Sequence, residues 1–65
     1  MNQVKMYRLK QKITQLQLAK ELNINQATIS MWEREKSNPT AKLLPKLAKI
    51  LNCTIDELFL KKEVL

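Results

Sequence analysis

Between Gln15 and Arg34 the chain runs QLQLAKELNINQATISMWER, and the apolar residues of that stretch fall at helical intervals. Leu22 lies four and three residues beyond Leu18 and Ala19, and Ile29 and Trp32 are three apart on the far side of a polar break. Two short helices packed across a tight turn, with Ile24 plugging that turn, satisfy this spacing. The rest of the chain points the same way, having no glycine, no alternating apolar pattern, no repeat and no Ser-rich linker. An all-α fold with short turns is therefore expected.

At 65 residues the chain is expected to form one domain, 1–65. A domain this small buries only about 60% of the surface its unfolded chain exposes, which leaves little room for a deep catalytic cavity. Twelve Lys and Arg against six Asp and Glu give a net charge of +6, spread from Lys5 to Lys62, which favours a polyanionic partner. There is no His, and Cys53 is the sole Cys. Metal clusters, an internal disulfide and His-based acid–base catalysis are excluded on that count, and no nucleophile–base set is visible. Neither an enzyme nor a cofactor is expected. Cys53 reads as a partly buried small hydrophobe. No apolar run reaches the roughly 20 residues that span a bilayer, and no signal-peptide pattern opens the chain, so a soluble, cytoplasmic protein without a membrane partner is expected.

Five helices fit the pattern. The first covers about Gln3 to Gln11, with Val4, Tyr7 and Leu9, followed by Ile13, as its apolar face. Thr14 and Gln17 form a capping box for a second helix from Gln15 to Leu22, and Asn25 is placed to cap a third from Gln26 to about Arg34. A polar loop, EKSNPT, follows. The fourth helix carries Leu44, Leu47, Ala48 and Leu51, regular from about Leu43 after a looser turn, because Pro45 is tolerated only in a first turn. Thr54 and Glu57 make a second capping box, opening a short helix to about Lys61.

With Leu18, Ala19, Leu22, Ile29 and Trp32 turned inward, the third helix presents Gln26, Ala27, Ser30, Met31 and Arg34 outward. Ala19 lets the two backbones approach. The outward face is small, polar and uncharged at its N-terminal end, which suits a helix entering the roughly 12 Å wide major groove of DNA.

Arg8, the T-Q-x-x-L-A of Thr14 to Ala19, the T-I-S-x-W-E of Thr28 to Glu33, Asn38–Pro39, the L-A-K-x-L of Leu47 to Leu51 and the I-D-E-L of Ile55 to Leu58 stand in one order and spacing. In these pieces the chain resembles the lambda-repressor-like helix-turn-helix family, the Cro and repressor type also called the XRE family. The resemblance implies a compact five-helix domain with its helix-turn-helix at 15–34, binding duplex DNA as a two-fold dimer to regulate transcription. Carried over by position, Gln26, Ala27, Ser30 and Met31 would face base edges. Gln15, Asn25, Thr28, Lys36 and Asn38 would lie at phosphates, with Arg34 a further phosphate candidate. The chemistry agrees, since Gln can pair bidentately with adenine while Ala and Met suit a thymine methyl. With no outward Arg or Lys at the start of the reading helix, A·T-biased half-sites are expected. The plain alternatives are a solvated first-turn residue for Gln26, core packing for Met31, and solvated charge for Arg34 and Lys36. Trp32 reads as core or boundary rather than a stacking platform.

The resemblance further implies a partly buried, structural salt bridge between Arg8 and Glu33. Losing one partner of a well-buried pair costs roughly 3–5 kcal/mol. It also implies glycine after the first helix, in the turn of the motif and after the third helix, where this chain has Lys12, Asn23 and Glu35. Those sites are expected at positive φ, which Asn tolerates better than Lys or Glu. Leu16 replaces a usually polar residue and is expected to be half exposed or to touch sugar and phosphate.

The C-terminal helix and its tail, 55–65, hold Ile55, Leu58, Phe59, Leu60, Val64 and Leu65, more apolar residues than one short helix covers. They are expected to form a homodimer surface, the alternative being a C-terminal helix folded back on the core. Two functional readings follow: a sequence-specific regulator, a repressor or autoregulator of bacterial, phage or mobile-element origin with no small-molecule effector evident, or an antitoxin- or antirepressor-like protein-binding module of the same fold.

Overall fold

A computed structural model describes residues 2–59 of the chain. It places five helices in order: α1 (Gln3–Lys10), α2 (Gln15–Leu22), α3 (Gln26–Glu33), α4 (Leu44–Leu51) and α5 (Ile55–Phe59). The described residues hold no strand, as an all-α fold requires, and the bounds of α1 to α4 match the sequence reading to within one residue.

The helix starts are built by side chains. Thr14 Oγ1 accepts from the Gln17 amide at 3.0 Å while Gln17 Oε1 accepts from the Thr14 amide at 2.8 Å, closing the expected capping box. Thr54 and Glu57 do the same at 3.0 and 2.8 Å. Asn2 also caps α1: its Oδ1 accepts from the Val4 amide at 2.8 Å and the Lys5 amide at 3.3 Å. Asn25 precedes α3 but makes no side-chain cap bond, so the cap expected of it is absent. Before α4, a turn at residues 41–43 leads to Pro45 near the helix start, where its missing N–H leaves no gap in the ladder.

The helix ends share one device. Lys12, Asn23, Glu35 and Asn52 have φ of 59°, 58°, 61° and 57°. In each case the next residue's amide reaches back five residues to a helical carbonyl: Ile13 to Arg8, Ile24 to Ala19, Lys36 to Met31 and Cys53 to Ala48, at 3.3, 2.9, 2.9 and 3.0 Å. This left-handed cap satisfies orphan carbonyls and turns the chain sharply. A protein without glycine here uses Lys and Glu at two positions that glycine would fill without strain.

The core consists of Val4, Leu18, Ala19, Leu22, Ile29, Trp32, Leu47, Ala48, Leu51 and Leu58. Leu18, Ile29, Leu47 and Leu51 are fully buried. Tyr7, Ile13, Ile24 and Cys53 pack around it, whereas Leu9, expected on the inner face of α1, is exposed. Leu9 stands one position beyond Arg8, and the stripe through Val4 and Arg8 turns it outward. Burial, and secondarily the Glu57 carboxylate, push the Cys53 thiol up, so it stays protonated near neutral pH.

The expected dimer surface needs one correction. Leu58 is only 7% exposed and belongs to the core, because α5 packs on both α1 and α4 and Leu58 fills the space between them. Ile55 remains exposed. Nothing is described of the Phe59 side chain, and Leu60, Val64 and Leu65 lie outside the described residues.

Candidate nucleic-acid interface

The angle of α3 is fixed from beneath. Its most extensive helix contact is with α2, where Ala19 is 1% exposed and lets the backbones close, while Ile29 and Trp32 drive into the core at 0% and 3%. The end of the helix is tied to α1, since Asn2 Nδ2 donates to the Trp32 carbonyl at 3.1 Å. One asparagine thus starts one helix and holds the end of another. The sequence signal for it was present: a capping residue type immediately before the first helical position.

Rotation about that inward stripe sets what faces out. Gln26, Ala27 and Met31 are exposed, and Ser30 and Thr28 are half-buried. Met31 is 40% exposed, although a helical Met is ordinarily a core filler. The presented edge is therefore an amide, a methyl, a hydroxyl and a thioether, with no formal charge.

Behind this edge runs a hydrogen-bonded relay. Arg8 donates through Nε to Glu33 Oε2 at 2.6 Å and through Nη2 to Oε1 at 3.2 Å, a fork on a carboxylate whose side chain is 4% exposed. The remaining Arg8 Nη1 donates to the Ile13 carbonyl at 2.8 Å, fastening the left-handed turn after α1. Gln15 Nε2 donates to the same Glu33 Oε1 at 3.0 Å, and Gln15 Oε1 accepts from Gln26 Nε2 at 3.4 Å. Gln15, assigned to a phosphate on sequence grounds, is in the first place a half-buried bridge between the ion pair and the outer helix. The relay could not be read from the sequence, because it joins residues 8, 15, 26 and 33 through geometry alone.

Asn25, Arg34, Lys36 and Asn38 are all exposed and border α3 at its two ends. Arg8–Glu33 is the one ion pair among the described residues, so Arg34 and Lys36 have no carboxylate of that region within pairing distance. The Asn25 amide is likewise not spent on the helix start. No cluster of three His, Cys, Asp or Glu side chains that would hold a metal occurs among the described residues, and no helix there is long and apolar enough to cross a membrane.

Residues 4–58 match the family model described as helix-turn-helix. The chain belongs to the lambda-repressor-like helix-turn-helix family. It is similar to an uncharacterized HTH-type transcriptional regulator of Archaeoglobus fulgidus, 37% identical over 60 residues covering 92% of this chain and 84% of that protein. A second such regulator, from Methanocaldococcus jannaschii, is 36% identical over 62 residues, covering 95% and 94%. The HTH-type transcriptional regulator DicA of Escherichia coli is 49% identical over 43 residues, but these are 66% of this chain and only 32% of DicA. The family is one of transcriptional regulators and not of enzymes.

Proposed function

We propose that the chain is a sequence-specific regulator of transcription that inserts α3 into the major groove of duplex DNA and binds a pseudo-palindromic, A·T-biased operator as a homodimer. Gln26, Ala27, Ser30 and Met31 read base edges; Asn25, Thr28, Arg34, Lys36 and Asn38, with the second amide proton of Gln15, hold phosphates. The observation that carries this reading is the uncharged, exposed edge of α3, flanked by unspent amides and cations and backed by the relay through Gln15. Affinity then comes mainly from cations at phosphates, and sequence preference from the uncharged edge. The regulators named above as relatives are consistent with this role. A repressor that controls its own gene, acting in the cytoplasm, is the form of regulation proposed. Dimerisation is assigned to the segment from Ile55 onward, with Ile55 as its exposed apolar member among the described residues.

Footprinting on the DNA flanking the chain's own gene, with a salt titration of the protected site, tests the reading. A steep fall of log affinity with log salt and a site preference that persists at high salt are expected. Weak binding indifferent to sequence would overturn it and leave the protein-binding alternative.

A further inference from the structure

We propose that Glu33, though buried and structural in appearance, is a positioning residue that makes Gln26 select adenine over guanine. This rests on the reading of Gln26 as a base-contacting residue given above.

The inference follows from which groups can donate and which can only accept. Both Glu33 oxygens accept from Arg8, so toward Gln15 the carboxylate serves only as an acceptor. Gln15, held against Glu33 Oε1 at 3.0 Å, must therefore turn its NH2 group inward. That leaves its carbonyl oxygen facing Gln26, which donates to it at 3.4 Å, while the second Gln15 N–H stays free for a phosphate. One Gln26 N–H is consumed, leaving one N–H and the carbonyl oxygen for the groove. The adenine edge needs that pair, an acceptor for its N6 amino group and a donor for its N7, whereas the guanine edge offers two acceptors.

Reversing the relay reverses the match. Were Gln15 to present its NH2 outward, Gln26 would turn its oxygen inward and expose two donors and no acceptor, which fits guanine N7 and O6. Among the protein's own groups the polarity is set by Glu33, the one member of the relay that can only accept. Glu33 touches no base, and its effect passes through two amides.

Selection from a pool of randomised duplex DNA, followed by affinity measurements on the selected site and its single A·T to G·C changes, tests this on four proteins: the parent, Gln26→Ala, Gln15→Leu and Glu33→Gln. For the parent, adenine is preferred over guanine at one base pair per half-site by at least about tenfold. Glu33→Gln, whose amide both donates and accepts, reduces that preference to within about threefold while preferences at the other base pairs persist. Gln15→Leu does the same without touching the ion pair, and keeps the inference testable if Glu33→Gln melts below the assay temperature. A purely structural Glu33 gives a different pattern, an even loss of affinity across all base pairs with a lowered melting temperature, and that result overturns the proposal. So does an unchanged adenine preference in Gln15→Leu when Gln26→Ala abolishes it. If Gln26→Ala leaves every base preference intact, the reading of Gln26 itself fails, and the inference fails with it by a route the other two variants do not share.

Discussion

At the scale of single residues, the four left-handed positions set local strain against sharp turning. For an L-residue this conformation costs roughly 1–2 kcal/mol, with Asn the mildest case because its short amide bonds locally. Asn23 and Asn52 are therefore inexpensive, whereas Lys12 and Glu35, both exposed, carry most of the penalty and form no ion pair among the described residues. Replacing either by Gly removes the strain but adds backbone freedom to the unfolded chain, which offsets part of the gain. Lys12→Gly and Glu35→Gly are each expected to raise stability by up to about 1 kcal/mol, a melting-temperature increase of roughly 4–8 °C at the upper end. Differential scanning calorimetry would read this, and a lower melting point in both variants would refute the strain. Positions 12, 23 and 35 were legible because the family resemblance places glycines there. The resemblance places no glycine at Asn52, although an Asn just after Leu51 is a helix-stop signal in its own right.

At the scale of helices, starts and faces separate what stabilises from what is left available to a partner. Thr14 is engaged in a reciprocal cap and Asn25 in none, although both residue types stand directly before a helix. Thr14→Ala is thus expected to cost about 1 kcal/mol, and Asn25→Ala less than about 0.5, with the latter weakening DNA binding instead. Urea unfolding beside a DNA titration distinguishes the two, and equal stability losses would contradict the assignment. The sequence supported Asn25 as a cap by residue type alone; whether the amide turns to the helix or away is a matter of rotamer, which spacing does not encode. The same limit explains α5. Counting apolar residues against one short helix made the whole segment look surplus, because the gap between α1 and α4 that Leu58 fills exists only once those helices have packed. Leu58→Ala is expected to cost 2–5 kcal/mol, roughly, as a buried Leu deletion, and Ile55→Ala to leave the fold of a monomer nearly unchanged. Thermal melts at low concentration would show the contrast, and a fold insensitive to Leu58→Ala would remove α5 from the core.

At the scale of the whole molecule, the length of α3 argues for a second copy on the DNA. Eight residues rise about 12 Å, roughly the width of one major groove, so one α3 reaches only a few base pairs. Each good bidentate contact discriminates by roughly 1–3 kcal/mol, and the four outward residues include one such donor–acceptor pair, on Gln26. On the proposed reading, the Gln26 pair alone falls short of the 4–10 kcal/mol, roughly, by which specific sites exceed non-specific DNA. Two-fold dimers that dock a helix in this way bind half-sites about 34 Å apart, one turn of the duplex. Inserting about five base pairs between the half-sites of the footprinted operator rotates one of them to the opposite face of the DNA, and ten restore it to the same face one turn further on. For a rigid dimer both insertions are expected to reduce affinity to that of one half-site. For two domains joined only by a pliable C-terminal contact, the ten-pair insertion recovers part of the loss and the five-pair insertion does not. Full binding to both altered operators, measured by gel shift at fixed salt, would mean that each domain binds alone, and the assignment of a dimer surface beyond Ile55 would have to be given up.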